Sequence, residues 1–477
     1  VPQVNDAPSP GTSAGTLPSI SMPDRLDTVF GAMDFFDGLP LPDAVGHGYD
    51  ALDLLRGIEV FLNCVPGASM VAMRRGLHAI GVDSRTIGCL SPRCSSAPLI
   101  LTANTETTYG MTCLALDQDG PTVIEAPGNS LCFVNDLWQR HVADMGIAGP
   151  DKGAGGKYLF LPPGHQGDVP EGYFVVRPAT FSSWVLLRAL NGMEGLLQSR
   201  IYPLSEAADP PEQRFLNFAE SEFNTIHAND FTFFEEIDTL VQGEPPQALD
   251  PERAGQLAAI GIVPGKPFRP DDRMRSILDT AARIASGIVR TLCFKPRDPG
   301  FFVYSGSSWK NPWPSHNHEF LSPEGARLLD ARAVYHYFAA GTSPAMAAAA
   351  VGAGSQYVYT AEDSTGALLE GGRGYTLTLP AGIPVKNFWS VTAYDPQTRS
   401  LLRTEDPHPS VNSLSEDVRA EDGGETVVHF GPTAPQGREA NWIRTVPGKG
   451  WFVVLRLYGP LESWFDQSWR PGEIEPV

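Results

Sequence analysis

The chain has 477 residues, 42% of them hydrophobic and 19% charged, and a formal net charge of -20. That length suggests two or three domains, and the apolar share excludes a disordered chain. The negative field disfavours nucleic acid and anionic membranes as partners, while 48 glycines and 43 prolines point to many turns and short strands.

The sequence does not open on Met, and residues 1–24 hold five prolines. They read as an extended leader, which fits either a mature end after signal removal or an arbitrary boundary. The expected location is periplasmic or secreted. No run approaches the ~20 apolar residues of a membrane span. Six cysteines include no CxxC. Cys89 and Cys94 could bridge in an exported protein, and free buried thiols are the alternative.

After Pro42-Asp43, the residues Ala51, Leu54, Leu55, Ile58, Phe61 and Leu62 predict a helix that ends at Pro66-Gly67. A second short helix follows over residues 69–79. From Leu99 short apolar runs alternate with Gly-Pro and Pro-Gly pairs, the texture of an antiparallel sandwich. Residues 201–345 turn helical. There Asp271 is an expected N-cap, with Met274, Ile277, Leu278, Ala281, Ile284, Ile288 and Leu292 as a buried stripe. Strands return after Ser355: Tyr375-Thr-Leu-Thr-Leu379 alternates, and Trp451 to Tyr458 is apolar on both faces. The expected fold is therefore α+β and β-rich. A leader over 1–24 precedes an N-terminal domain of helices then β-sandwich over 25–200. A helical connecting section over 201–345 leads to a C-terminal β-sandwich over 346–477.

The two β segments resemble each other. Gly120 to Gly128 parallels Tyr375 to Gly382, and Phe133-Val-Asn-Asp136 parallels Ser390 to Asp395. Trp184-Val-Leu-Leu-Arg188 parallels Phe452-Val-Val-Leu-Arg456. These matches predict an internal duplication. The residues also carry a wider resemblance. Thr102-Ala-Asn104-Thr-Glu106-Thr107-Thr-Tyr109 is similar to a T-x-N-x-D-T-x-Y hallmark, with Glu106 where Asp is usual. Asp136-Leu-Trp138, Asp144-Met-Gly146, Leu161-Pro-Pro-Gly164, Ile226 to Phe231, Asn441-Trp442 and Val446 to Gly450 extend it. Over roughly residues 23–477 the chain resembles a bacterial family that pairs two domains of unknown function, 1254 (N-terminal) and 1214 (C-terminal). The resemblance implies two jelly-roll-like β units joined by helices, and export. It implies no activity, so function is argued from residues.

Familiar catalytic motifs are absent. Gly149 to Lys157 lacks the P-loop spacing, and neither Gly-x-Ser-x-Gly nor His-Glu-x-x-His occurs. Ser307-Ser-Trp-Lys310 matches Ser-x-x-Lys, but the neighbouring Gly306 and Pro312 argue against the helical turn it needs. His316 and His318 would share one side of an extended segment and are weak metal candidates; no metal or other cofactor is predicted. His227 and Asp230, three apart, would share a helical face, with the Asp fixing the imidazole tautomer. Glu106, His227 and Asp230 form the expected acid–base set. Asn104, Tyr109, Trp138 and Arg188 are the expected substrate contacts, Asn104 and Glu106 lying in a predicted strand. The same residues fit a structural knot and core packing. The expected function is an exported hydrolase or lyase on a small organic or carbohydrate substrate. A non-catalytic binding or surface protein and a metal-dependent oxidoreductase are the alternatives.

Overall fold

A computed structural model describes residues 17–348 and 350–477. Most of the expected leader lies outside the described residues; what is described of it begins with one helical turn, α1 (Leu17–Ile20). A small antiparallel sheet follows: β1 (Arg25–Thr28), β2 (Gly31–Phe36) and β3 (Leu39–Pro40). Then comes α2 (Pro42–Ala79), a single helix of 38 residues where the sequence predicted two. Pro66 inside it removes one ladder hydrogen bond. Burial of Val60, Phe61, Val65, Ala68, Met70, Met73 and Leu77 offsets that loss. Gly67 admits two close neighbours: a Cβ there would come within 2.8 Å of Trp138 and 2.6 Å of Leu240. By length and composition alone α2 could cross a bilayer, contrary to the sequence expectation, and most of its apolar stretch is buried within the protein.

The N-terminal half then lays down β4 (Thr86–Leu90), β5 (Tyr109–Ala115), α3 (Leu116–Asp119), β6 (Thr122–Ala126), β7 (Leu131–Asp136) and β8 (His141–Gly146). It continues with β9 (Gly156–Phe160), β10 (Phe174–Val176), β11 (Ser182–Leu187), α4 (Met193–Leu196), β12 (Arg200–Pro203) and β13 (Arg214–Asn217). The middle section supplies α5 (Thr232–Gly243), α6 (Pro251–Ala259), α7 (Asp272–Phe294), α8 (Leu329–Phe338) and α9 (Pro344–Ala347). The C-terminal half contains β14 (Ser355–Thr360), β15 (Tyr375–Leu379), β16 (Val385–Tyr394), β17 (Ser410–Asn412) and β18 (Thr426–Gly431). It ends with β19 (Trp442–Arg444), β20 (Phe452–Pro460), α10 (Glu462–Phe465) and β21 (Ile474–Pro476).

Strand order repeats between the halves. The N-terminal sheets run β13-β4-β5-β11-β7-β8 and β10-β9-β6-β12, and the C-terminal ones β14-β20-β16-β17 and β19-β18-β15-β21. Replacing β5 through β12 by β14 through β21, in order, converts one arrangement into the other. Only β4 and β13 are extra. Even the parallel edge recurs, β10 on β9 and β19 on β18. Those pairs, with β13 on β4, correct the purely antiparallel expectation.

Alternation along the strands explains how each half is placed. In β11, Val185 and Leu187 join Ile124, Tyr158 and Phe160 between the two N-terminal sheets. In β20, Val453, Leu455 and Leu457 join Leu377, Val391 and Val428 between the C-terminal sheets. The alternate residues, Trp184 in one and Phe452 and Val454 in the other, face outward and enter a common core with α2, α5, α7 and α8. The two halves thus press their equivalent outer faces towards one another, with the helices filling the space between.

Helix α7 is capped by Asp271, whose side chain accepts from the Met274 N–H, as the sequence predicted. Its buried face keeps Leu278 and Ala281 of the expected stripe but not its isoleucines. Leu278, Ala281, Ala282, Ala285 and Val289 are inside, while Ile284 and Ile288 are 41% and 38% exposed. The small face wins because α2 lies very close: a Cβ at Gly57 would sit 2.7 Å from the Ala281 Cβ. All six cysteines are buried and free, so Cys89 and Cys94 form no bridge.

Candidate functional site: a cavity between the two halves

The repeated strands place a repeated pair of side chains. In the C-terminal half Tyr357 lies directly opposite Arg456. In the N-terminal half Leu187 opposes Gly110, and the same register brings Arg188 alongside Tyr109. Tyr109, Tyr357 and Arg456 all line a cavity of about 180 Å³. Its walls are otherwise apolar and aromatic: Met111, Trp184 and Leu186 from one half, Tyr359, Phe452 and Val454 from the other, Trp313 and Tyr335 from the middle section. Trp313 stacks on Tyr335 with centroids 4.3 Å apart. The indole N–H groups of Trp184 and Trp313 are buried without a partner.

Arg456 is 4% exposed. Its Nη2 donates to the Thr102 carbonyl at 2.7 Å, and its Nη1 has no partner. The Tyr394 and Tyr357 rings lie 5.4 and 5.9 Å from its guanidinium. A guanidinium remains protonated at any ordinary pH, so this is a permanent buried charge facing mostly neutral groups. Arg188 is only partly buried; it lies 5.6 Å from the Tyr458 ring, and its Nε is unpaired.

The hallmark segment forms the cavity's polar edge. Asn104 and Glu106 precede β5 in a loop rather than lying in a strand, which corrects the expected geometry. The Asn104 Oδ1 accepts from the N–H groups of Glu106 (3.2 Å) and Thr107 (3.0 Å), and its Nδ2 donates to the Tyr109 hydroxyl at 2.9 Å. That bond turns Asn104 and Tyr109 to one place. Thr102 has φ of 38°, in the left-handed region that a β-branched residue rarely enters. The strain is held by its N–H on the Arg399 carbonyl (2.8 Å), its hydroxyl on the Phe338 carbonyl (3.0 Å) and its own carbonyl on Arg456. The Tyr394 hydroxyl fastens the next residue through the Ala103 carbonyl at 2.6 Å.

Glu106 turns away from this cavity into a neighbouring cleft lined by Arg93, Asp406, His408, Ser410 and Asn412. Its Oε1 accepts from Thr105 (2.5 Å) and Ser410 (2.6 Å), and its Oε2 is buried without a partner. Burial, with Arg93, lowers the pKa of His408.

The other predicted site residues lie elsewhere. His227 and Asp230 are in a loop before α5, not in a helix. His227 Nδ1 bonds the Ala228 carbonyl at 2.8 Å, and its ring packs against Phe61, Phe233 and Tyr337. Burial, then Arg399, holds its pKa down to about 3. The Asp230 carboxylate accepts the Thr232 N–H at 2.9 Å instead of orienting that imidazole. Nothing in the hydrogen bonding joins Glu106 to His227. Trp138 packs into the Gly67 gap and lines another pocket. His316 sits at φ of 50°, and His318 lies 5.7 Å from His141. Among the described residues no group of three His, Cys, Asp or Glu is placed to hold a metal. Lys310 bonds Glu362 at 2.9 Å while Ser307 bonds Glu473 at 2.5 Å, so the Ser-x-x-Lys pair is divided between two carboxylates. The sequence reading missed Tyr357, Arg456, Trp313 and Tyr335 as site residues. The repeat was the available signal for the first two, since it equates Arg456 with Arg188.

These features define an α+β protein of two topologically repeated β units that share a helical core and enclose a small cavity. Residues 90–199 match the family model described as protein of unknown function DUF1254, and residues 354–462 match protein of unknown function DUF1214. The chain belongs to the family that pairs these two domains in this order. The two matched segments coincide with most of the two repeated strand sets. Among solved structures, the chain is similar to the VPA0106 protein from Vibrio parahaemolyticus, at 18% identity and a TM-score of 0.51. That match covers 88% of this chain and all of the other. An uncharacterised protein from Burkholderia cenocepacia matches at 14% identity and a TM-score of 0.39, covering 90% of this chain and 96% of that one. Among curated proteins nothing matches.

Proposed function

We propose that this chain binds a small organic anion in the central cavity, with the charged end of the ligand on Arg456 and its apolar body against Trp184, Trp313 and Tyr335. The observation that carries this reading is the buried Arg456, with one nitrogen unpartnered, in the lining of a mostly apolar cavity. Glu106 acts on this charge without bonding it, and a ligand carboxylate on the free nitrogen would add the close, hydrogen-bonded counter-ion that it lacks. A few convergent polar groups among apolar walls is the usual make-up of a small-molecule site. Size narrows the class. An apolar protein cavity of about 150 Å³ holds benzene, so about 180 Å³ suits one ring or a short alkyl chain with its carboxylate. Walls this apolar favour such a body over a sugar. We read each eight-strand unit as a jelly-roll-like pair of sheets, and the exported setting remains part of this proposal.

The test is calorimetric titration with benzoate and hexanoate, on the wild type and on Leu186→Trp, which fills the cavity. Binding of either acid that disappears in the variant supports the reading. Silence with both acids on folded wild type overturns it. Acid–base catalysis is a second reading, favoured by the unpartnered Glu106 Oε2 beside His408 and Ser410 in the adjoining cleft. An ester or glycoside turned over by wild type but not by Glu106→Gln would support it; equal turnover by both would exclude Glu106 from the chemistry.

A further inference from the structure

The chain carries a net charge of -20, yet one pocket gathers Arg140, Arg177, Arg253, Arg327 and Arg332. This pocket of about 390 Å³ shares no lining residue with the central cavity. The β7–β8 turn supplies Arg140, the segment after β10 Arg177, α6 Arg253 and α8 Arg332. Arg140, Arg177 and Arg327 form an exposed rim, and Arg332, 7% exposed, forms the floor.

The local charges do not balance. Asp136 pairs with Arg140 at 2.6 Å, Asp250 lies 3.7 Å from Arg253, and Glu319 is the remaining carboxylate in the wall. Arg327 donates to the backbone carbonyl of Glu319, not to a carboxylate. Five guanidiniums stand in the wall against two wall carboxylates, with Asp250 behind Arg253 and Asp144 3.6 Å from His141 as the further carboxylates, so positive charge is in excess. Arg332 is the telling member. Its Nη2 bonds the neutral amide oxygen of Asn63 at 2.7 Å, and its buried Nε has no partner. Beside it His336, 3% exposed, has an unpartnered Nδ1. The histidines add no further positive charge: burial lowers His141 to about 4, and His318 below its ordinary value, so both are neutral at neutral pH.

We propose that this pocket is a binding site for a small organic dianion, of the phosphate-ester or dicarboxylate class, with Arg332 at its floor. Five guanidiniums converging on one pocket with positive charge in excess suit a dianion better than a monoanion, and the planar fork of arginine suits paired oxygens on either phosphate or carboxylate. On the rim Arg140 and Arg327 are held by Asp136 and the Glu319 carbonyl, and Arg177 is left to turn towards a ligand, while the floor arginine is fixed by Asn63. This site stands independently of the central cavity.

The experiment is titration of the full chain, at constant ionic strength, with inorganic phosphate, succinate and acetate. One dianion per chain should bind, with acetate weaker by about tenfold or more. Phosphate binding without succinate assigns the phosphate class, and the reverse assigns dicarboxylates. Arg332→Met should abolish binding, and Arg177→Gln, a change at an exposed position, should weaken it about threefold to tenfold. If Arg332→Met fails to fold, Arg177→Gln decides. Leu186→Trp, which blocks the central cavity, should bind the dianion as wild type does, so the two sites fail separately. No binding of either dianion, equal binding of acetate, or unchanged binding in Arg177→Gln together with any folded Arg332→Met would overturn the proposal.

Discussion

The His336 ring is enclosed at the inner end of α8, where burial, then the charge of Arg332, holds its pKa down to about 3. An unfolded chain protonates this histidine near 6.5, and the native chain does not. The unfolded state therefore binds more protons between about 6.5 and 3, and native stability is lost as pH falls through that window. His336→Phe should remove its share of that loss. Thermal unfolding from pH 3.5 to 7.5 should give a flatter acid limb than wild type; parallel limbs would mean the ring is not held neutral. Glu236 behaves in the opposite sense. Burial raises it to about 7 despite an ion pair with the half-exposed Arg75 at 2.6 Å and a bond from the Ala228 N–H at 3.1 Å. The native state keeps this proton up to about 7, whereas the unfolded state releases it near 4.5. Its contribution is fully present below 4.5 and lost as pH rises through 7. Glu236→Gln should therefore gain stability relative to wild type between pH 5 and pH 8, by on the order of 1–3 kcal/mol.

Helix α7 separates what was legible in the sequence from what was not. Its existence, its Asp271 cap and its amphipathic period were readable, because capping and spacing are local properties. Its buried face was readable only in part. Helical spacing marked Leu278 and Ala281 together with Ile284 and Ile288, and the contact with α2 at Gly57 is made by Leu278 and Ala281 while the isoleucines are left outside. A partner 200 residues away decided the matter by its nearness, and only a glycine at position 57 hints at it. Gly57→Ala should cost about 1–3 kcal/mol by overpacking, whereas Ile284→Asp should stay within about 1 kcal/mol as a surface change. Denaturant unfolding of the two variants checks both; the reverse order would mean that Ile284 carries the contact. Pro66 teaches the same lesson. It is a sound stop signal in isolation, and in α2 it is overridden by burial on both sides. The hallmark loop shows another limit. The residue types marked Asn104 and Tyr109, and the left-handed turn at Thr102 that aims its carbonyl at Arg456 has no signature in a threonine.

At the scale of the molecule, the repeat was visible in three stretches of sequence and is complete in eight strands per half. The cavity was not visible, because its two walls come from strands more than 200 residues apart and become one surface only when the halves meet. The family matches end at residues 199 and 354, but the apolar core does not respect those borders. Trp184 and Phe452, one from each half, belong to the same cluster as the helices between them. Fragments cut at the matched borders should therefore expose these faces. Residues 17–217 expressed alone should bind a hydrophobic dye and aggregate, and a monomeric fragment with a sharp unfolding transition would contradict this.

Two identical units meeting about an axis would offer every side chain twice, so a ligand on that axis would find the same groups at both ends. Joining the units in one chain lifts that restriction. Here Arg456 is sealed in the cavity lining while Arg188 leans on Tyr458. Each copy has kept its tyrosine and its arginine, but only one arginine lines the chamber. The tandem arrangement thus gives a repeated architecture an interior lined by one arginine rather than two, in which a molecule with a distinct head and tail has a single place for its head.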